Sequence, residues 1–359
     1  MDPNESRTAV PSPGGPEEGR SDRAPGPRSR APGRLRAVTV LLLVLATCAG
    51  FAVYRQSNAF GPGTVCGGIS TDAVQAALGP GRVSETLLDV RTPSRPDASG
   101  RCSVAVRHGL FVSSETSASI RVRRQTPAVE ALAAADARLF TGAATGGASP
   151  RTSWALLPEH CAGNERVEVT VAGSADRDAD RATGLARLAV AAADVVAARS
   201  ACSASTPAPK ELSAAGTPGP ADFTGLCGLP GLAPRRNPST DVRYREQATT
   251  AFAPLWSCEI TDEVDGAQVV SFAVSADPRI VGAATDLTAD APAALGRGRW
   301  VAGTEDAVVA TCHGRPVYFL VKQRPLSSAA GRLFPDRDDL WHRFLGAAGT
   351  AIGCEPVTG

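Results

Sequence analysis

The chain has 359 residues, and its 37 basic side chains are almost balanced by 36 acidic ones. This balance argues against a nucleic-acid-binding protein, because such proteins need a surplus of Lys and Arg to displace counterions from phosphates. Only 4 Trp, 3 Tyr and 10 Phe are present, so the core is built mainly from small side chains and gains from covalent crosslinks.

The N-terminal region predicts a membrane anchor. Residues 1–36 are rich in Pro and Gly and lack aromatic side chains, which predicts a disordered tail. Residues 37–54 contain no charge and are long enough to nearly cross a bilayer as a helix. Five arginines lie shortly before this segment and only Arg55 follows closely, so the positive-inside rule predicts a cytoplasmic tail and an extracytoplasmic remainder.

Two other interpretations of this region remain open. The apolar run is also compatible with a cleaved secretory signal, and Leu45-Ala46-Thr47-Cys48 approximates a bacterial lipobox, which would make the protein a lipoprotein anchored at Cys48. All three interpretations place residues 55–359 outside the cytoplasm.

Eight further cysteines follow, and their spacing in the first four is closely repeated in the second four. They are Cys66, Cys102, Cys161, Cys202, Cys227, Cys258, Cys312 and Cys354. An even number of cysteines without a C-x-x-C pair, in an extracytoplasmic region, predicts disulfides. The repetition predicts an internal duplication, with one lobe at residues 60–202, a Pro-rich linker at 203–224 and a second lobe at 225–359.

The disulfide pairing can be predicted from local structure. In each lobe the third cysteine precedes a strand, at 166–172 or 315–322, and a helix then ends near the fourth cysteine. The strand and the last turns of the helix are both about 25 Å long, so an antiparallel helix returns its end beside the beginning of the strand. The predicted pairs are Cys161 with Cys202 and Cys312 with Cys354, which leaves Cys66 with Cys102 and Cys227 with Cys258.

The remaining pattern predicts the α+β class. A helix signal opens at Ser70, with Ile69 and Val74 as a hydrophobic staple, and ends at Gly79. Further predicted strands are 83–90, 102–107, 119–123, 248–253, 256–261 and 268–275, and further predicted helices are 126–140, 175–199, 289–295 and 335–352. This order predicts two similar lobes, each with an antiparallel sheet covered by helices, in addition to one N-terminal transmembrane helix.

A family resemblance rests on the start of the first lobe. The segment Cys66-Gly-Gly-Ile-Ser-Thr-Asp-Ala-Val-Gln-Ala-Ala-Leu-Gly79, followed by a second cysteine that opens a strand, resembles small secreted domains of actinobacterial envelope lipoproteins. The second lobe keeps the cysteine positions and Trp256-Ser-Cys258 but departs in its opening. The resemblance implies a tandem of PsbP-like α/β sandwiches and an envelope location, and it implies no catalytic residue.

No motif for catalysis or cofactor binding is present. The chain lacks G-x-S-x-G, P-loop and H-E-x-x-H patterns, so we predict no catalytic residue, no cofactor and no metal. His160 and His313 each neighbour a cysteine, but a thiol held in a disulfide is not a ligand. We expect these two, His108 and His342 to be ordinary loop, strand-end or helix-surface residues.

Acidic and aromatic residues suggest two alternative kinds of functional site. A carboxylate cluster could form from Glu159, Glu165, Glu168 and Asp176 to Asp180. Trp154, Trp256, Trp300 and Trp341 are predicted core residues, with a stacking platform for glycan as the alternative.

The leading functional hypothesis is a membrane-anchored, noncatalytic binding or scaffold protein of the cell envelope. It would contact the membrane through residues 37–54 and bind an envelope protein or glycan, but no nucleic acid. The alternatives are a hydrolase of wall polymers, which would use carboxylates such as Glu168 or Asp178, and the ectodomain of a sensor.

Overall fold

A computed structural model describes the chain in separated stretches. The described residues are 33–56, 58, 61–87, 101–109, 114–124, 138–157, 161, 165–172, 179–199, 202, 206–207, 209–214, 216–235, 243–250, 254–264, 266–286, 294–295, 298–300, 307–323 and 333–354. The chain divides into two compact units, Met1–Gly50 and Phe51–Gly359. The predicted disordered tail lies outside the described residues up to residue 32.

Helix α1 (Gly33–Gln56) contains the predicted membrane segment. The helix begins at Gly33, earlier than the predicted boundary at Ala37, because no helix-breaking residue separates 33–36 from the apolar run. Its 18-residue stretch Ala37–Tyr54 is long and apolar enough to cross a membrane, and none of it is buried. The free thiol of Cys48 is exposed on this helix.

The first half of the second unit (residues 61–202) contains one main sheet and two helices. Its strands are β1 (Thr64–Val65), β2 (Ile69–Ser70), β3 (Arg82–Leu87), β4 (Arg101–His108), β5 (Ser114–Arg124), β6 (Arg138–Phe140), β7 (Gly146–Ala148), β8 (Thr152–Leu156) and β9 (Glu165–Ala172). The main sheet is antiparallel throughout, in the order β3-β4-β5-β9-β8-β7-β6. Helices α2 (Thr71–Leu78) and α3 (Ala179–Arg199) share a core with one face of it.

Local sequence explains where α2 begins and ends. The hydroxyl of Ser70 accepts the amide of Asp72 at the N-cap, and Gly79 ends the helix at φ 98°, a backbone conformation that favours glycine. Helix α3 crosses α2 at Gly184, where an added Cβ would lie 2.5 Å from the carbonyl oxygen of Ala76. The two helices therefore approach each other backbone to backbone, which only glycine permits.

The second half (residues 216–354) repeats the main sheet and the long helix that follows its strands. Its strands are β10 (Gly219–Pro220), β11 (Tyr244–Ala248), β12 (Leu255–Asp262), β13 (Gln268–Ser275), β14 (Ala294–Leu295), β15 (Gly298–Trp300), β16 (Ala307–Cys312) and β17 (Arg315–Gln323). The sheet is antiparallel in the order β10-β11-β12-β13-β17-β16-β15-β14. Two α-helices among the described residues of this half accompany it, α4 (Pro278–Asp286) and α5 (Arg337–Ala351). From β3 and from β11 onward, the two strand orders are identical.

Four disulfides join the eight cysteines in the predicted pairs. The bonds link Cys66 to Cys102, Cys161 to Cys202, Cys227 to Cys258, and Cys312 to Cys354. In each half, one bond fixes the turn at the start of that half to β4 or β12. The other fixes the end of the long helix, α3 or α5, near the hairpin before the fourth strand.

The two sheets pack against each other through a third hydrophobic cluster. Trp154 and Leu156 of β8 belong to this cluster together with Tyr318 and Leu320 of β17. Asp277, which is buried, accepts a hydrogen bond from the hydroxyl of Thr145 in the first half and caps the start of α4. Phe51–Gly359 is one compact unit, in which the described residues form two large sheets and the small sheet β1-β2.

Two predicted helices are wrong where they can be compared. Arg138–Phe140 and Ala294–Leu295 are strands, the edges of the two sheets, because tertiary pairing with β7 and β15 overrides the local helical pattern. The remainder of both predicted helices, 126–137 and 289–293, lies outside the described residues. In the predicted linker, Gly219–Pro220 forms β10, and Ser213 exchanges hydrogen bonds with the backbone of Leu139.

Candidate functional site

The outer face of the first sheet carries a cluster of arginines, which we call the arginine face. It consists of Arg101 on β4, Arg121 and Arg123 on β5, and Arg166 and Glu168 on β9. Side chains alternate between the two faces of a strand, so the residues between these point into the core. Val122 packs against that core and Val167 is buried in it.

Arg101 and Arg121 lie directly opposite each other on neighbouring strands. Both donate a hydrogen bond from Nε to the hydroxyl oxygen of Ser119, at 3.1 and 3.3 Å. Within the described stretches neither guanidinium forms an ion pair with a carboxylate. Like charges directly opposite on adjacent strands are destabilising, so this pair is not explained by the stability of the sheet.

Glu168 ties the other two arginines together. Arg123 approaches its Oε2 at 2.7 Å, and Arg166 donates from Nε and Nη2 to its Oε1 at 2.9 and 2.5 Å. The side chain of Arg166 is only 5 % exposed, and its Nη1 has no hydrogen-bond partner among the described residues. Four arginines against one glutamate leave the arginine face with a net charge of +3 at neutral pH.

A row of hydroxyl groups runs beside the arginines. Ser103, Ser119, Thr170 and Thr152 are cross-strand partners in successive strands β4, β5, β9 and β8. The next row contains Arg101, Arg121, Glu168 and Trp154 in the same four strands. The surface therefore places small hydroxylated side chains next to guanidinium groups.

The equivalent face of the second sheet has a different composition. In the second sheet, the row equivalent to Arg101, Arg121, Glu168 and Trp154 consists of four buried residues. They are Ser257, Ala273, Leu320 and Ala307. Helix α4 contributes Ile280 and Val281 to the same cluster. In the first half this face is thus charged on β4, β5 and β9, while β8 contributes Trp154 and Leu156 to the same hydrophobic cluster. The matching row of the second half is buried throughout.

A second repeated feature is the turn at the start of each half. Cys66 and Cys227 both adopt a left-handed backbone conformation, at φ 51° and 62°, which is unusual for a residue other than glycine. The amide of Cys66 donates to the carboxylate of Glu85, and the amide of Cys227 donates to that of Glu246 at 2.9 Å. In both halves the donor and the acceptor are 19 residues apart.

This turn does not form a metal centre. Cys66, Glu85 and Cys102 place potential ligand atoms close together, but the two sulfur atoms are bonded to each other. A disulfide sulfur has no thiolate to offer to a metal ion. The carboxylate of Glu85 is instead the acceptor for the turn, so we assign the cluster a structural role.

Burial changes the chemistry of the equivalent glutamate in the second half. Desolvation raises the pKa of Glu246 above its ordinary value, and the hydrogen bond from the Cys227 amide only partly opposes it.

A carboxylate on α5 shows the opposite balance. Burial acts to raise the pKa of Asp339, but hydrogen bonds and ion pairs from Arg343 and Arg235 outweigh this effect, so the pKa of Asp339 is lowered.

The histidines named in the sequence analysis do not come together. His108 contacts the carbonyl oxygen of Pro80 and the hydroxyl of Thr116, at 2.8 and 3.2 Å. His313 and Gly314 both have positive φ in the two-residue turn between β16 and β17, and the His313 ring contacts the Gly353 carbonyl. His342 is exposed on α5. His160 lies outside the described residues.

The predicted carboxylate cluster is only partly visible. Glu168 is half-buried and bound by two arginines, and Asp180 lies in the first turn of α3. The side chain of Glu165, together with Glu159 and Asp176 to Asp178, lies outside the described residues. No pair of carboxylates poised for acid–base chemistry is present in the stretches that the structure describes.

Three of the four tryptophans are core residues. Trp154, Trp256 and Trp341 are at most 4 % exposed, so none of them offers a stacking surface for glycan. The side chain of Trp300 lies outside the described residues. Sequence reasoning missed the arginine face, although 119–123 was predicted as a strand, because arginines that are distant in sequence meet only when β4, β5 and β9 pair.

Comparison with known proteins adds no relative. Protein-family models, curated proteins and solved structures were compared with this chain, and none of them matches it. The resemblance to actinobacterial envelope lipoprotein domains therefore stays a prediction from the residues around Cys66.

Proposed function

We propose that this protein is a membrane-anchored, noncatalytic binding protein of the cell envelope. The apolar stretch of α1 is the anchor, with the N-terminus in the cytoplasm because the arginine cluster precedes it. Residues 55–359 lie in the extracytoplasmic space. Four disulfides support this location, because such bonds persist in oxidising compartments.

The extracytoplasmic part is a duplicated unit in this proposal. Identical strand order from β3 and from β11, together with the repeated cysteine turns and their glutamate acceptors, supports a common origin. Both copies use this face for the contact between the sheets, but only the first copy carries charge on it, on β4, β5 and β9.

The single observation that carries the binding role is the arginine face. Arg101 and Arg121 are held opposite each other without a carboxylate partner in the described chain, and like charges in that arrangement are destabilising. Glu168 is occupied by Arg123 and Arg166. The arrangement thus suits binding of a negatively charged partner, whereas a wall hydrolase would need a free pair of carboxylates.

Topology is tested with the full chain, tagged at both ends and expressed in its membrane. We expect protease added to spheroplasts to remove the C-terminal tag and leave the N-terminal tag inside a protected fragment. Loss of the N-terminal tag would contradict the orientation. N-terminal sequencing and mass measurement of the mature chain distinguish an intact anchor from cleavage or lipidation at Cys48.

Binding is tested by cosedimentation with isolated, protein-free wall material. The full chain in nanodiscs of neutral lipid should sediment with the wall at low salt and release no soluble fragments from it. Release of fragments would contradict the noncatalytic role, and absence of cosedimentation would contradict binding.

A further inference from the structure

The arginine face has a composition that selects one chemical class of partner. We infer that it binds a phosphodiester-bearing polymer of the cell envelope, with Arg101 and Arg121 contacting successive or shared phosphate groups. This inference rests on the proposed function, since it specifies the partner of the same binding protein.

The two central arginines are prepared for anion binding. The Ser119 hydroxyl accepts from the Nε of both, and among the described residues their Nη groups have no hydrogen-bond partner. A guanidinium presents several N–H donors in a rigid fork that matches the oxygens of a phosphate. A bound phosphate would also relieve the repulsion between the two like charges.

The neighbouring trio adds charge that the sheet does not neutralise. Arg123 and Arg166 share one carboxylate, Glu168, so the trio keeps one positive charge beside the two of Arg101 and Arg121. The Arg166 side chain is only 5 % exposed, so this residue contributes to the site through its charge and not through direct contact. The net charge of the trio favours an anion at the neighbouring Arg101 and Arg121.

The hydroxyl row favours a polyol or sugar phosphate over a bare anion. Ser103, Ser119 and Thr170 lie in a line across three strands next to the arginines. Hydroxyl groups can both donate and accept hydrogen bonds, so they complement the polyol hydroxyls between the phosphates of such a polymer.

The lipid surface is the less suitable source of phosphate. Proteins that dock on membranes insert apolar side chains beside their basic ones. Outside α1, the only exposed large hydrophobic side chain in the described chain is Val264, which lies on the second half. The arginine face therefore lacks an apolar anchor and fits a soluble polymer.

The test measures binding of a synthetic poly(glycerol phosphate) chain to the full protein in neutral-lipid nanodiscs, as a function of salt. The test variant is R101Q/R121Q. The control variant is R187Q/R315Q, which makes the same change in net charge with exposed arginines of α3 and of the β16–β17 hairpin. Thermal unfolding shows whether each variant is folded.

We expect the wild type and the control to bind, and the test variant to bind at least about tenfold more weakly at 0.1 M salt. Each lost phosphate contact should also reduce the slope of log affinity against log salt by about one. Equal binding by the test variant and the control would overturn the inference. If R101Q/R121Q unfolds, the single variants and the hydroxyl variant Ser119→Ala, with an expected two- to fivefold loss, decide it.

Two further measurements are included. One distinguishes lipid phosphate from polymer phosphate, and the other distinguishes failure of this inference from failure of the proposed binding function. Vesicles of phosphatidylglycerol that bind the wild type better than the polymer does would overturn the inference in favour of a membrane surface. Cosedimentation with wall material in the absence of polymer binding overturns the inference alone. Absence of both overturns the proposed function as well.

Discussion

The same face of two equivalent sheets serves two purposes in this protein. In the second half, Ala273 and Leu320 lie under α4 and in contact with the first half, with no exposed surface. At the matching positions of the first half, Arg121 and Glu168 remain partly exposed to solvent. Since both halves share strand order and register, the fold does not demand arginines at these positions. The shared sheet topology therefore does not explain the arginines, and the proposed binding role would account for them.

Two separate variants, each lacking the disulfide at the end of α3 or of α5, test whether these two crosslinks stabilise the protein equally. Cys161 and Cys202 are 41 residues apart, and Cys312 and Cys354 are 42 apart. We expect either double Cys→Ser variant to lose about 4 kcal/mol of unfolding free energy, because loops of similar length restrict the unfolded chain similarly. Denaturant unfolding of the full chain measures this loss. A cost several-fold larger in one half would show that the two halves depend differently on their crosslinks.

Glycines in the two long helices provide a matched pair of substitutions. Gly184→Ala should destabilise the protein by about 1–3 kcal/mol, because the new methyl group would meet the backbone of α2. Gly346→Ala in α5 meets no atom within 4 Å and should stabilise by about 0.5–1 kcal/mol through helix propensity. Opposite shifts in Tm are expected. Shifts of the same sign would mean that the backbone contact between α2 and α3 is not tight.

The charged row of the first half can be replaced by the residues of the second. The variant R101S/R121A takes the identities of Ser257 and Ala273 at the matching positions. Because it removes a pair of opposed like charges, we expect unfolding free energy to stay constant or rise by up to about 1 kcal/mol. Chemical denaturation measures it. A loss of more than about 1 kcal/mol would assign the arginines a role in stability.

The smallest expected effect concerns the glutamate that caps the second cysteine turn. Burial raises the pKa of Glu246 in the folded state, so the folded chain binds this proton more tightly than the unfolded chain does. Stability contributed by protonation is present below the unfolded pKa, about 4.3, and is lost as the pH rises through the raised folded pKa. The variant Glu246→Gln has no carboxylate at this position, so it should not lose this part of its stability as the pH rises.

The control for the Glu246→Gln prediction is a comparison of the two proteins at low pH. Near pH 3.5 the glutamate is largely protonated, so the wild type and Glu246→Gln should have similar Tm values, with the variant gaining relative to the wild type as the pH approaches 7. A difference that stays constant across this range would show that charge burial at Glu246 does not influence stability.

Local signals account for the elements that could be predicted. Ser70 and Gly79 define α2 because a hydroxyl cap and a glycine stop act within one turn of the chain. The disulfide pairs followed from the lengths of a strand and a helix. Arg138–Phe140 and Ala294–Leu295 were predicted as helix because their strand character depends on pairing partners elsewhere in the chain.

The sequence by itself determined the apolar N-terminal helix, the α+β class and the disulfide framework, because each depends on composition, periodicity or spacing along the chain. Only the tertiary structure decided which strands are neighbours, that the two sheets share a buried cluster, and that Arg101 lies opposite Arg121. These depend on contacts between residues far apart in sequence. A charged side chain becomes part of a site only when folding brings other charges beside it.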